Sequence, residues 1–467
     1  MLQRIRACRS LIAPFLFSVG VAACSENEAA DDREPEFPDW PSYGRDANNS
    51  RYDAAEKKIS VDTVSKLVPK WSYDAVAVTG TPALYGGMLY FGDWNSEVHA
   101  VDPRSGEEKW SIDLADDTIP NQINHTPFVT EDTVYVGAHG AKFFAIDRLT
   151  GEKRWEQTLD DQVFLMLWSS PVKIGDLIVL GIGSYQVFIP AEPPFRGKVI
   201  AIDARTGDQR WALPLTEGSG VSVWSSAAVD TGRKLLFIGT GQEYAGGPDS
   251  PYSDSLIAIN YETGKLAWAN QFTAGDRFQS GKAYGLDHDV GASPNLFEAD
   301  GRALVGVGDK SGKYYAVDRD TGLEAWRTDL TPGGPNGGVM ASTVYANGKI
   351  YVVSNSGGGT AGVGGGPGAA VVFALDTTTG AIDWQVPVQP GTFGALAAAN
   401  GVLFVPTLAG QLRAFDVRNG GQLWSYDLGQ SMGGGVSISG GMVFAGHGWA
   451  WIPNGVVAGG LVAFGLP

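Results

Sequence analysis

The chain has 467 residues, 43% of them hydrophobic, which is enough for a sizeable core and excludes wholesale disorder. Its 64 glycines, beside 14 tryptophans and 16 tyrosines, suit many short strands joined by tight turns. The net charge of −17 comes with no Lys/Arg cluster, which excludes a nucleic-acid binder with a basic face and leaves solubility as the role of the charge.

The N-terminus reads as an export address. Arg4, Arg6 and Arg9 precede an apolar run, Leu11 to Ala23, that is too short to span a membrane comfortably. The run ends "VAAC" at Cys24, which resembles a bacterial lipobox. The resemblance implies a lipoprotein signal peptide over residues 1–23, cleavage before Cys24 and acylation of its thiol. Ser25 follows, and a non-Asp residue there implies the outer membrane, facing the periplasm. Losing three arginines with the signal takes the mature charge from −17 to about −20. The only cysteines are Cys8 and Cys24, so the mature chain has no internal disulfide, and the absence of CxxCH excludes a covalently attached haem. Residues 24–40 are acidic and lack a strand pattern, so they are predicted to be a disordered tether.

From here a string repeats. Its copies are "VHAVDPRSGEEKW" (98–110), "FFAIDRLTGEKRW" (143–155), "VIAIDARTGDQRW" (199–211), "LIAINYETGKLAW" (256–268), "YYAVDRDTGLEAW" (314–326), "VFALDTTTGAIDW" (372–384) and "LRAFDVRNGGQLW" (412–424). Each reads as two strands joined by a turn. The Asp, replaced by Asn260 in one copy, can accept turn N–H groups, and the Gly tolerates positive φ. The Ala leaves room for an indole, and a Trp at the same place in every unit suits docking between neighbours. Two more strand signals precede each copy, as in "STVYANGKIYVV" with its Asn-Gly turn. Four antiparallel strands per unit at this period predict an all-β protein, a β-propeller.

Seven copies are complete. Trp71 in "PKWSYD" lacks the preceding strands, while "GGMVFAGHG…GLVAFGLP" has three strands and no Trp. Joined, the two ends make an eighth blade, which closes the ring over residues 41–467 and leaves no open sheet edge. Successive Trp residues are 39, 45, 56, 57, 58, 58 and 40 apart. The long units carry their extra residues in 184–197, 242–255, 272–291 and the Gly-rich 355–369. Such loops on one rim are predicted to build a pocket over the channel.

This pattern resembles the eight-bladed quinoprotein propellers that bind pyrroloquinoline quinone (PQQ). "DWPSYGRDANNSRYD" (39–53), "VWSSAAVD" (223–230), "GTGQEY" (239–244), "HDVGASP" (288–294) and "GDKSGKYYAVDRDTG" (308–322) are most similar to polyvinyl-alcohol-dehydrogenase-type enzymes. The resemblance implies oxidation of alcohols, secondary or polymeric, by hydride transfer to the quinone. It assigns Trp224 as the aromatic floor under PQQ, at the start of an innermost strand, and Asp287 as the general base, with Asp289 as the neighbouring carboxylate. Lys310 would touch the reactive carbonyl and stabilise developing negative charge. Arg196 matches a loop arginine near the cofactor, whose three carboxylates call for cations.

Three departures accompany the resemblance. The family's metal-binding Glu aligns near Gln186 and its metal-binding Asn with Gln242. With Asp287 they would ligate Ca²⁺ or another oxygen-preferring cation, with one negative charge lost. The paired-cysteine ceiling of some relatives is missing. So is a haem domain, which implies that electrons leave for a separate cytochrome. The competing expectation is a non-catalytic propeller lipoprotein of the outer-membrane-protein-assembly type, since the docking repeat occurs there too. Other chemistries fit poorly. His125, His139, His288 and His447 lack short metal-ligand spacing, and neither GxSxG nor a dinucleotide fingerprint occurs.

Overall fold

The repeated string folds as the two outer strands of a blade. In the copy spanning Lys142–Asp147 and Lys153–Thr158, Trp155 stands opposite Ala145 across the pair. A bulge at Arg154 shifts the register just before the Trp. The same Trp–Ala pairing and the same shift occur in all eight blades, from Trp71 opposite Ala463 to Trp424 opposite Ala414. The turn is pinned as its sequence predicts. Asp147 Oδ1 accepts the amides of Leu149 and Thr150, each at 3.0 Å. The Gly does more than relax the turn. Seven of the eight indoles cross to the next blade and lie against that blade's turn glycine; Trp424 meets the split blade, which has no such turn. A Cβ on Gly106 would come within 2.7 Å of the Trp71 ring, and one on Gly264 within 2.6 Å of Trp211. The indole N–H then donates to a carbonyl of the same turn, as Trp110 does to Arg148 O (2.9 Å) and Trp326 to Thr377 O (3.0 Å). Each docked ring buries on the order of 150–250 Å², and its hydrogen bond adds about 0.5–1.5 kcal/mol.

The computed structural model describes residues 37–116, 122–282, 285–357, 368–449 and 458–467. The expected signal peptide, Cys24, most of the tether and most of the 355–369 stretch lie outside the described residues. Phe37 and Trp40, at the end of the expected tether, are buried in the core, so the packed chain starts earlier than the boundary at 41.

Eight sheets form the propeller, each built on four antiparallel strands that run outward in sequence order except in blade 8; Tyr52–Asp53 adds a short parallel strand to blade 7 and Leu165–Met166 a short one to blade 3. Blades 1 to 7 begin at Ala83, Phe128, Val172, Ala228, Asn295, Val344 and Ala397. Blade 8 joins the two ends of the chain. Val436–Ser439, Met442–His447 and Ala458–Gly465 receive Val68–Val76 as the outermost strand. Trp424 then reaches Leu67 O at 3.1 Å, which completes the circle of dockings. Apolar residues from neighbouring sheets fill the spaces between them, so the core is a series of wedges rather than one centre.

Two devices seal the channel. The segment after Trp40 lies across the innermost strands and hydrogen-bonds to six of them. Trp40 exchanges bonds with Leu84, and Pro41, Ala47, Asn48, Ser50 and Arg51 accept the amides of Val129, Val229, Leu296, Tyr345 and Ala398. Arg45, Asn49 and Arg51 take positive φ to make this path. The buried Arg51 guanidinium donates to Val436 O at 3.0 Å and to Leu396 O and Tyr43 O. Just above runs a belt of hydroxyls. Thr126, Ser170, Ser226, Ser293 and Ser342 each accept the amide of the residue at the matching place one blade earlier, at 2.8–3.1 Å.

Candidate functional site

Three of the four long loops, 184–197, 242–255 and 272–291, supply wall to one cavity of about 440 Å³. Tyr43 of the N-terminal segment lines it, with Ser226 and Ser293 of the hydroxyl belt. Trp168, Tyr185, Trp224, Phe278 and Trp449 supply aromatic wall.

Lys310 stands at the polar centre. Its turn is built by Asp309, whose Oδ1 accepts Ser311 Oγ at 2.6 Å and Lys313 N at 3.2 Å, while Tyr315 OH donates to Oδ2 at 3.1 Å. The Lys310 amide bonds to Asp289 O at 3.0 Å. Its ammonium lies 2.9 Å from Asp287 Oδ1, 2.6 Å from Asp289 Oδ2 and 5.6 Å from the centre of the Trp224 ring. Burial opposes the charge on Lys310, but the two carboxylates outweigh it and hold its pKa above the ordinary lysine value.

Asp287 is presented under strain, with φ 56°. Asp276 clamps the amides on either side of it. Asp276 Oδ1 accepts Leu286 N at 2.8 Å, and Oδ2 accepts His288 N at 2.7 Å. The other Asp287 oxygen, Oδ2, accepts no hydrogen bond among the described residues, and Asp287 lines the cavity. Burial pushes its carboxyl up to about 7, with Lys310 pulling the other way and Asp289 adding to the rise. That is the range in which a general base works at neutral pH. Asp254, fully buried with neither oxygen hydrogen-bonded among the described residues, is pushed well above the usual range by burial and then by Asp289.

Asp289 is spoken for. One oxygen holds Lys310 and the other accepts Gln242 N at 2.7 Å. Gln242 lines the cavity with its Nε2 on Phe278 O (3.2 Å), and its Oε1 accepts nothing among the described residues. Trp224 lines the cavity too, but it is not at the start of a strand. The innermost strand of blade 4 begins at Ala228, four residues later. The indole lies against Gly291, where a Cβ would stand 1.7 Å from Cη2.

Two expected site residues lie elsewhere. Gln186 is fully buried and spends its amide on the loop itself. Oε1 accepts Phe195 N at 2.9 Å, and Nε2 donates to Pro193 O at 3.1 Å. It is a structural cross-link inside its loop and is not part of the cavity wall. Arg196 is exposed and outside the cavity, its Nε on Gly218 O at 3.1 Å. Lys310 is thus the sole Lys or Arg among the described residues of the cavity wall. Of the histidines, His125 is buried with Nδ1 on Leu167 O and Nε2 on Gly137 N, and burial lowers its pKa to about 4. His288 contacts Thr273 and His447 contacts Gln430. The side chain of His139 is not described.

The sequence reading missed Asp276, Gly291 and the hydroxyl belt. The belt had a signal, because "GTPALY", "HTPFVT", "SSPVKI", "SSAAVD", "ASPNLF" and "ASTVYA" put a hydroxyl just ahead of six successive innermost strands. Asp276 had none, since it acts on a loop ten residues away.

A closed ring of eight docked blades with a lysine, two aspartates and an indole at one mouth defines a quinoprotein-type propeller. The family model described as PQQ, "Glucose/ethanol/alcohol dehydrogenase, beta-propeller domain", matches residues 40–340, and the chain belongs to that family. The model for "Outer membrane protein assembly factor BamB" matches residues 310–463. The chain is 27% identical to a polyvinylalcohol dehydrogenase of Sphingopyxis sp. (strain 113P3), over 88% of this chain and 72% of that protein. It is 26% identical to the quinohemoprotein alcohol dehydrogenase ADH IIB of Pseudomonas putida, over 83% and 70%. In fold it is similar to the crystal structure of the quinohemoprotein alcohol dehydrogenase from Comamonas testosteroni, with TM-score 0.76 and 20% identity, over 92% of this chain and 80% of that one.

Proposed function

We propose that this chain oxidises an alcohol with PQQ as the acceptor and passes the electrons to a separate cytochrome. The observation that carries the reading is Asp287: a strained, buried carboxylate with one oxygen held by Lys310 and the other free toward the cavity. The wall suits the cofactor. A cavity of about 440 Å³ is in the range of small-molecule sites. Trp224 offers a flat face for stacking, and Lys310 offers the positive charge that a tricarboxylate needs in an acidic protein. When bound, PQQ supplies a two-electron acceptor for the hydride on the alcohol carbon. Asp287 takes the hydroxyl proton at its free oxygen. Lys310 fixes the carboxylate and places positive charge where negative charge develops. The aromatic wall keeps water from the reacting atoms.

The cation is a narrower proposal. Gln186 lies off the cavity wall, so of the expected ligands Gln242 and Asp287 remain for Ca²⁺ or a similar ion. Secondary or polymeric alcohols are favoured as substrates because two of the similar proteins are named polyvinylalcohol dehydrogenases. The scaffold reading draws on a match to residues 310–463, which excludes Trp224, Asp287 and Asp289. Export, and a hold on the outer membrane through an acyl group on Cys24, are proposed on sequence alone.

The test is titration of purified protein with PQQ, with and without Ca²⁺, followed by alcohol-dependent dye reduction in the wild type and Asp287→Asn. One PQQ per chain is expected, with a raised melting temperature. The variant should keep its PQQ and lose roughly 10²–10⁴-fold in turnover. Failure of the wild type to bind PQQ with any of Ca²⁺, Mg²⁺ or lanthanides overturns the proposal.

A further inference from the structure

Away from the cavity centre, the turn between the second and third strands of blade 1 gathers three metal-ligating groups, Asp93, Glu97 and His99. One donor atom from each lies within 4.8 Å of the others. His99 is 3% exposed and Asp93 1%. His99 Nε2 is buried without a hydrogen-bond partner among the described residues and stands 3.6 Å from Asp93 Oδ2 and 3.9 Å from Glu97 Oε2.

The other ring nitrogen explains why. Tyr73 OH is hydrogen-bonded to both His99 Nδ1, at 3.1 Å, and Glu108 Oε2. An ionised carboxylate only accepts, so the tyrosine proton goes to Glu108. The tyrosine oxygen must then accept from Nδ1–H, so Nε2 is the ring atom turned to the other two carboxylates. Three acidic side chains, Asp93, Glu97 and Glu108, surround one imidazole, and none of them is paired with a lysine or arginine among the described residues. Nε2 stands 3.6 and 3.9 Å from the two carboxylate oxygens, too far for a hydrogen bond and wide enough for a cation between them.

We propose that Asp93, Glu97 and His99 bind a divalent first-row transition-metal cation of the zinc class. One imidazole and two carboxylates are ordinary ligands for such ions. Tetrahedral donors about 2.0–2.2 Å from zinc lie roughly 3.3–3.6 Å apart, close to the 3.6 and 3.9 Å seen here. The Glu108–Tyr73 chain is the outer support that ligating histidines usually have. Asp93 is held in place, with Oδ1 accepting the amides of Asn95 and Glu97 and Oδ2 making a long 3.3 Å contact with Val76 N. The Glu97 side chain is 37% exposed, which leaves an entry path and a position for water. The ion would clip the turn that projects Trp94 into the cavity wall.

Full-length protein without PQQ, stripped with chelator and desalted, would be titrated with Zn²⁺ and read by metal content and melting temperature. The wild type should hold one more zinc per chain than His99→Phe, which keeps a ring against Phe91. Its melting temperature should rise with zinc while that of the variant does not. Glu97→Gln, at an exposed position that does not endanger folding, should weaken the zinc by at least tenfold. Tyr73→Phe should weaken it by about 10–100-fold. Equal zinc content and equal thermal response in the wild type, His99→Phe and Glu97→Gln would overturn the proposal.

Discussion

Gly291 carries no functional group, yet Gly291→Ala should disable the cofactor site. Its φ is not in the left-handed region, so alanine imposes no backbone strain. The added methyl would stand 1.7, 1.9 and 2.3 Å from three ring atoms of Trp224. Carbon atoms settle at about 3.5–4.0 Å, so the indole has to withdraw by at least about 1.5 Å. The free space lies on the cavity side, where Trp224 is half-buried. The fold should therefore hold while the floor moves. Loss of a stacked ring is worth about 0.5–1.5 kcal/mol, or roughly 2- to 13-fold in PQQ affinity. A shift of this size in the bound cofactor costs on the order of 10²-fold in turnover. Calorimetric titration with PQQ and dye reduction at full occupancy would read the two effects, with the melting temperature of the apo-protein as the folding control. A variant that melts normally and binds and turns over like the wild type would show that Trp224 is not the floor.

Three further outcomes are expected. Activity should rise with pH through about 7, because Asp287 must be ionised to take a proton and burial holds its pKa there; in Lys310→Met the acid limb should move to higher pH, since Lys310 lowers that pKa, and an unmoved limb would detach it from Asp287. Gln186→Leu should cost about 1–3 kcal/mol of stability by orphaning the Phe195 amide, measured by thermal melting, with no change in cation stoichiometry at the cavity. Removal of residues 37–76 should cause aggregation or loss of cooperative unfolding, because the strand Ala458–Gly465 loses its outer partner; soluble protein with unchanged melting would contradict the closure.

The family fold and most of the polar centre were legible because their causes are local or repeated. An Asp that caps its own turn, a Gly that permits it and a Trp at fixed spacing write each blade into a short window of sequence. Two halves of one blade at opposite ends of the chain declare the closure. Trp224, Asp287 and Lys310 stood out against that repeat, and the structure brings them together.

The repeat alone determined how each blade would be built and how many would close the ring. Tertiary structure decided which polar groups were left free. Gln186 and Gln242 are the same residue type, yet only Gln242 reaches the cavity wall, because Gln186 is buried within its own loop against Pro193 and Phe195. Arg196 had the right charge, but its loop turns it toward Gly218 O, outside the cavity. The segment after Trp40 has no periodicity, and its role as a plug exists only when six innermost strands offer it their amides at once. Hydrogen-bond capacity is finite and is shared out among groups distant in sequence, so the availability of a side chain is a property of the folded chain.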